Sequence, residues 1–248
     1  MNAPSLDIII PVFNEDKNIE KTLAAIVNGL GSFVDKAEVK IIYDFEEDST
    51  LPVIREIKDR YPFPIELVKN DSRGVCRAIK KGLSIPGASF ALVTMADMSD
   101  DYTILPEMII KAQEGYDVIC GSRYMKGGKL IGGPFFKQLL SRMAGITLNL
   151  FTGIPTHDIT NSFKLYKKEM IDSMTIESSG GFEIGLEITA KAFLKGGKIV
   201  EIPCAWYDRT EGKSRFRLFR WLPLYLKWYL FLLFSKKNDM INGGNTWK

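Results

Sequence analysis

Up to about residue 120 the chain alternates short apolar runs, rich in β-branched residues, with longer segments of helical spacing. Ile8-Ile9-Ile10-Pro11-Val12 predicts a first strand and Asn18 to Leu30 the helix after it. Val39 to Tyr43, Ile65 to Val68, Phe90 to Met95 and Val118 to Cys120 predict four more strands. Pro52 to Tyr61, Val75 to Leu83 and Ile104 to Glu114 predict helices between them. The strands are continuous apolar runs, as expected where both faces of a sheet are covered. Such strands joined by helices predict an α/β fold with a mainly parallel central sheet flanked by helices.

The second half is less regular. A glycine-rich loop from Gly127 to Gly133 leads into a predicted helix, Phe136 to Phe151. A further helix is expected from Glu183 to Lys195, and a strand from Ile199 to Pro203. No repeat or low-complexity linker divides the chain. The expected organisation is one domain over residues 1–217 and a basic, aromatic tail over 218–248. Trp221 to Phe234 is apolar except for Lys227. Its 14 residues fall short of the about 20 that a bilayer crossing needs. Arg220 and Lys227 are seven apart and share a face, so an amphipathic helix in the membrane interface is expected, with its Trp and Tyr at headgroup level. A core helix or an oligomer contact is the alternative.

Charge sharpens that picture. The net charge is only +3, yet nine basic and three acidic residues lie from Tyr207 to Lys248, leaving the rest net negative. Positive charge beside a dense aromatic and aliphatic stretch fits an anionic membrane surface better than nucleic acid, so no nucleic-acid partner is expected. The three cysteines, Cys76, Cys120 and Cys204, are odd in number and widely spaced, which predicts free thiols in a reducing compartment. No signal peptide is expected: the apolar run from Leu6 carries Asp7, and no basic region precedes it. These features point to the cytoplasmic side of a membrane and a peripheral attachment. A homo-oligomer is left open.

In a parallel α/β sheet, ligands bind beyond the carboxyl ends of the strands. Acidic residues recur there. Asn14 and Glu15 follow the first strand, Asp44, Glu46, Glu47 and Asp48 the second, and Asp97, Asp100 and Asp101 the fourth. No Gly-x-Gly-x-x-Gly or Walker-type loop follows the first strand, which argues against dinucleotide enzymes and P-loop NTPases. Carboxylates alone repel a diphosphate, so this pattern suggests one bridged by a metal ion.

In this order the motifs resemble family 2, GT-A-fold glycosyltransferases, and within them the dolichyl-phosphate mannose synthase group. The opening Pro11-Val12-Phe13-Asn14-Glu15 is similar to the group's first motif, and Asp44 and Asp48 match the acidic positions of its second. Arg73-Gly74 with Ala78 and Gly82 resembles a third stretch. Gly121-Ser122-Arg123-Tyr124 with Gly127-Gly128, and Asp158-Ile159-Thr160-Asn161-Ser162-Phe163-Lys164, resemble two more. Glu187 and Arg209…Gly212-Lys213-Ser214 complete the set. The resemblance implies a GT-A, Rossmann-like fold with a C-terminal amphipathic helical tail. It also implies transfer of a sugar from a nucleotide-diphosphate sugar to a polyprenyl phosphate, with Mg²⁺ or Mn²⁺ as cofactor.

The resemblance assigns roles as well. Pro11, Asn14, Glu15, Asp44, Asp48, Arg73 and Asp97 would bind the donor, Asp44 at the nucleoside and Asp97 at the metal and diphosphate. Arg123, Lys137, Ser141, Arg209 and Lys213 would surround the acceptor phosphate. Asp97 and Arg123 would carry the catalysis. One departure matters: where the family shows Asp-x-Asp, this chain has Met95-Ala96-Asp97. Thioether sulfur is a poor ligand for these oxygen-seeking ions. Asp100 and Asp101 become the candidates for the missing oxygen. Ser162 replaces a usual glycine, and Phe45-Glu46-Glu47 a smaller, glycine-containing turn.

A phosphate monoester loses its second proton near pH ~6, so the acceptor oxygen needs no base. The expected reaction is a single inverting displacement that depends on positioning and charge neutralisation. His157, the one histidine, is therefore expected to be structural. Two alternatives stand beside this reading. Transfer to a glycan hydroxyl would require a base, for which Glu183 and Glu187 are candidates. A non-catalytic nucleotide-sugar-binding protein would explain the altered metal motif.

Overall fold

The computed structural model describes residues 5–208 and 218–235. A seven-stranded sheet runs through the molecule in the order β3-β2-β1-β4-β7-β5-β8. Its strands are β1 (Leu6–Pro11), β2 (Ala37–Tyr43), β3 (Ile65–Lys69), β4 (Phe90–Val93), β5 (Val118–Ser122), β7 (Lys164–Lys167) and β8 (Ile199–Pro203). A parallel ribbon of β6 (Lys129–Ile131) and β9 (Ala205–Tyr207) stands apart from it. All neighbours in the large sheet are parallel except β7, which is antiparallel to both β4 and β5.

Successive side chains of a strand point to opposite faces, and the core divides accordingly. Ile8 and Ile10 of β1 pack in one layer, with Leu23 and Ile26 of α1 (Ile19–Leu30), Leu51 and Ile54 of α2 (Thr50–Ile57), and Met108 of α4 (Leu105–Gln113). Ile9 faces the other layer, with Ile79 of α3 (Val75–Leu83) and Leu186 and Ile188 of α7 (Ile184–Leu194). Gly82 of α3 lies so close to Ile9 that a Cβ there would collide with its side chain. The mainly parallel sheet covered on both faces is the expected architecture, with element bounds shifted by a few residues.

Strand β7 was not expected. Its sequence, Lys-Leu-Tyr-Lys, lacks an apolar run, yet Lys164 is fully buried. The ammonium is satisfied by the carbonyls of Ile159 (2.7 Å) and Asn161 (2.5 Å), and burial lowers its pKa. A short helix, α6 (Lys168–Asp172), follows.

Two further helices define one side of the molecule. Helix α5 (Phe135–Thr152) packs against α8 (Leu218–Phe234), and α8 packs against α7. Gly145 sets how closely α5 approaches, because a Cβ there would overlap the carbonyl of His157. Trp228 and Leu232 of α8 are buried in the second layer. This face of α8 packs into the core, while Leu222, Leu226, Leu230 and Phe234 remain exposed. Among the described residues no helix is long and apolar enough to cross a membrane. The three cysteines are free and buried. Burial pushes the thiols of Cys76 and Cys120 up to about 12 and about 11.

Candidate active site

A single cleft of about 1250 Å³ opens at the carboxyl ends of β1, β2 and β4 and extends between α5, α7 and α8. At the tip of β1 the chain turns sharply: Asn14 has a left-handed φ of 55°. Asp48 stabilises that turn, accepting the Asn14 amide at 3.0 and 3.1 Å and the Thr50 amide at 2.9 Å. The Asn14 side chain accepts from the Ser49 amide (3.1 Å), and the Glu15 amide donates to Thr50 Oγ1 (2.9 Å). Asp44, at the tip of β2, accepts from Asn70 Nδ2 (2.7 Å) and from the Gly74 amide (2.8 Å). It thereby ties β2 to the loop that carries Arg73. The Arg73 guanidinium lies over the Phe45 ring, which meets Phe13 edge-to-face.

Beyond β4, Asp97 is almost buried and accepts the Ser99 amide at 3.1 Å. Met98 between them has a left-handed φ of 60°. Asp100 accepts from Thr94 Oγ1 (2.7 Å) and the Met95 amide (3.1 Å). Burial pushes its carboxyl up to about 7, helped by the nearby charge of Asp97 and opposed by those hydrogen bonds. Asp101 accepts from the Thr103 and Ala205 amides (3.1 and 3.0 Å).

Across the cleft, Arg123 donates to Asp158 through Nε (2.6 Å) and Nη2 (2.8 Å), and its own amide donates to the same carboxylate (3.0 Å). Burial alone would depress the guanidinium pKa, but Asp158 more than offsets it and holds Arg123 above its ordinary value. Arg123 also stacks on Tyr124, whose hydroxyl is bonded to Ser141 on α5. Lys137 of α5 lies over the Trp206 ring.

The structure thus brings Pro11, Asn14, Glu15, Asp44, Arg73, Asp97, Asp100, Arg123, Lys137 and Ser141 into one cleft. Asp48 and Asp101 do not line it; their carboxylates fasten backbone amides behind it. Arg209 and Lys213 lie outside the described residues. Glu183 and Glu187 are not in the cleft either. Glu183 accepts the amides of Gly180 and Gly181, and Glu187 those of Glu177 and Ser178 together with Lys191 Nζ. His157 pairs with Glu201 at 2.6 Å, also away from the cleft lining. Sequence reasoning missed Ser99, whose hydroxyl is buried beside Asp97 without a hydrogen-bond partner. Its place two residues past Asp97, in the loop after β4, was the available signal.

Comparison with known proteins specifies the class. Residues 7–175 match the model of Glycosyl transferase family 2. The chain is 27% identical to a dolichol-phosphate mannosyltransferase from Pyrococcus furiosus, over 98% of this chain and 71% of that one. It is 25% identical to a polyprenol monophosphomannose synthase from Mycolicibacterium smegmatis, over 84% of this chain and 79% of that one. Among solved structures, glucosyl-3-phosphoglycerate synthase from Mycobacterium tuberculosis, in complex with Mn²⁺, UDP and glucosyl-3-phosphoglycerate, superposes with a TM-score of 0.69. That likeness covers 95% of this chain and 82% of the other at 13% identity, and it establishes the GT-A fold. The protein is a glycosyltransferase. It belongs to glycosyl transferase family 2.

The donor set decides what cation could sit here. Asp97 lines the cleft, Met95 beside it offers only sulfur, and Asp100 is engaged with Thr94 and Met95. Among the described residues no three acidic, imidazole or thiol groups converge on one point. Mg²⁺ and ions like it are often held by one or two carboxylates plus substrate phosphates. The residues therefore fit a cation shared with a bound diphosphate, and not one caged by protein alone.

Proposed function

We propose that this protein moves a sugar from a nucleotide-diphosphate sugar to a polyprenyl phosphate, dolichyl or undecaprenyl, with inversion, at the cytoplasmic surface of a membrane. One observation carries the reading: a continuous cleft joins acidic strand tips to a cationic wall and then to an apolar arm between two helices. The chemistry of the three parts matches a nucleotide sugar, a phosphate and a hydrocarbon chain. The names of the two relatives point the same way.

Each residue group then has a task. Asp44, fixed on the Gly74 amide, binds the nucleoside, and Asn14, Glu15 and Arg73 line the rest of the donor site. Asp97, with the diphosphate, would hold Mg²⁺ or Mn²⁺, which neutralises charge on the leaving group. Arg123, Lys137 and Ser141 receive the acceptor phosphate. Asp158 keeps the Arg123 side chain oriented, so its guanidinium is placed before the substrate arrives. Because the acceptor oxygen is already anionic, the residues need only align it with the anomeric carbon and exclude water. The two glutamates weighed as bases for a glycan hydroxyl acceptor, Glu183 and Glu187, are held on backbone amides away from the cleft, which removes those two candidates.

The test is transfer of labelled sugar to polyprenyl phosphate by purified protein, with a panel of nucleotide sugars and Mg²⁺ or Mn²⁺. A labelled lipid of inverted anomeric configuration is expected, and Asp97→Ala should lower turnover by about a hundredfold or more, the scale of losing one charge-stabilising group. No labelled lipid with any donor would remove the proposal. Nucleoside diphosphate binding that ignores metal, without turnover, would point instead to a binding protein.

A further inference from the structure

Outside the cleft, one carboxylate is committed to the backbone beside the partner of Arg123. Glu201 of β8 is mostly buried, and both of its oxygens go to one residue: Oε2 accepts the His157 amide (2.7 Å) and Oε1 pairs with His157 Nδ1 (2.6 Å). The next residue is Asp158, which holds the Arg123 guanidinium. β8 lies beside β5 with Glu201 opposite Cys120, and Arg123 directly follows β5. The same strand pair therefore carries both ends of the connection. β5 presents Arg123, and β8 presents the carboxylate that fixes the backbone of its counterion. Thr156 Oγ1 accepts the Asp158 amide (3.1 Å), and Asn161 Nδ2 ties the far end of the segment to the Gly121 carbonyl (2.8 Å). Gly145 of α5 rests on the His157 carbonyl, and α5 brings Lys137 and Ser141 into the cleft. An ion pair with a ring 42% exposed contributes little. A carboxylate on a backbone amide is the stronger contact, so the amide bond and not the ring is what holds this segment to β8.

We propose that Glu201 is a positioning residue for the acceptor phosphate: through the His157 amide it fixes Asp158, and through Asp158 it aims Arg123. The inference rests on the reading above that Arg123 receives that phosphate. Neither Glu201 nor His157 lines the cleft, so the effect reaches the substrate only through this chain of contacts. A guanidinium whose partner is itself anchored is aimed before the substrate arrives. The strand tips that face the donor are anchored separately, Asp44 on the Gly74 amide and Asp97 on the Ser99 amide. Loosening Glu201 should therefore disturb one substrate and spare the other, which a general loss of structure would not do.

The experiment measures KM for a soluble isoprenoid phosphate, and the Kd of a nucleoside diphosphate, in three variants. Glu201→Ala should raise the acceptor KM about tenfold, the scale of one hydrogen bond to a charged group, with nucleoside diphosphate affinity kept within about twofold. Glu201→Gln retains an oxygen for the His157 amide and should recover most of that loss. His157→Ala removes the ring but leaves the amide, and should raise KM less than about threefold. An unchanged acceptor KM in Glu201→Ala, or donor and acceptor weakened alike, would reduce Glu201 to a structural contact and overturn the proposal. A second measurement uses the parent protein and needs no variant to fold. His157 is the only histidine of the chain, so its imidazole gives one set of NMR signals. Isoprenoid phosphate should shift them by drawing Arg123 away from Asp158, while nucleoside diphosphate should leave them in place. Signals that ignore isoprenoid phosphate, or answer both ligands equally, would overturn the positioning role while transfer by the parent protein keeps the acceptor reading intact. Transfer to no isoprenoid phosphate by the parent would remove both.

Discussion

The two walls of the cleft are built by opposite means. On one side, carboxylates at strand tips are fixed by backbone amides: Asp48 on Asn14 and Thr50, Asp44 on Gly74, Asp97 on Ser99. On the other side, α5 puts Phe136 and Met143 into the cleft lining and leaves Phe135, Leu139, Leu150 and Phe151 exposed on the surface beside it. Fixed amides preorganise charge where a small movement would spoil alignment. Apolar contact is non-directional, so a wall that meets hydrocarbon tolerates looser packing. Arg123 stands between the two, and its buried partner Asp158 makes it part of the rigid half.

Breaking the rigid half should cost most. Asp158→Ala leaves a largely buried guanidinium uncompensated and should destabilise the fold by about 3–5 kcal/mol, read from the urea midpoint, with acceptor use lost as well. Glu187→Gln weakens the anchor of residues 177–178 and of Lys191; a loss of about 1–3 kcal/mol is expected. The pH–rate profile of that variant should keep its shape, since this carboxylate does not face the reaction. Asp48→Ala frees the Asn14 turn and the start of α2. It should cost about 1–2 kcal/mol, and calorimetry should show weaker nucleoside diphosphate binding although Asp48 never touches the cleft.

The apolar half should respond in the reverse way. Phe135→Ser should change stability by no more than about 0.5 kcal/mol. Its binding to anionic vesicles should fall about tenfold, the scale of one aromatic side chain no longer buried in lipid. The smallest effect belongs to Asp7, at the opposite end of β1 from the site. Burial raises its pKa above 3.8, against the pull of Lys40. Its favourable contribution is therefore full below that value and is lost as pH rises through the folded pKa. Asp7→Asn should gain stability relative to the parent as pH rises through that window, seen as diverging urea midpoints. Parallel midpoints would mean that Asp7 is not perturbed.

Much of the strand-tip half of the cleft was legible beforehand, because strand and cleft lining are read from the same short stretch. An apolar run followed by Asn14-Glu15, Asp44 or Asp97 marks both the strand and the tip that lines the cleft. Which acids line the cleft was not legible. Asp97 and Asp101 are four residues apart, yet one lines the cleft and the other caps Thr103 and Ala205. The left-handed turn at Met98 and the approach of β9 separate them, and neither leaves a mark in local composition. Strand β7 escaped for a related reason: its buried lysine is satisfied by carbonyls that only the folded chain brings near.

By itself the order of residues determined the α/β alternation, the family motifs and the acidic strand ends, all of which depend on neighbours a few positions apart. Tertiary structure alone decided that Asp158 partners Arg123, that α8 buries Trp228 while exposing Leu226, and that α5 and α8 close at Thr147 and Tyr229. Those pairings join residues 35 and 82 positions apart. They exist because burying apolar surface forces distant segments together, and directional hydrogen bonds then select among the contacts that burial allows.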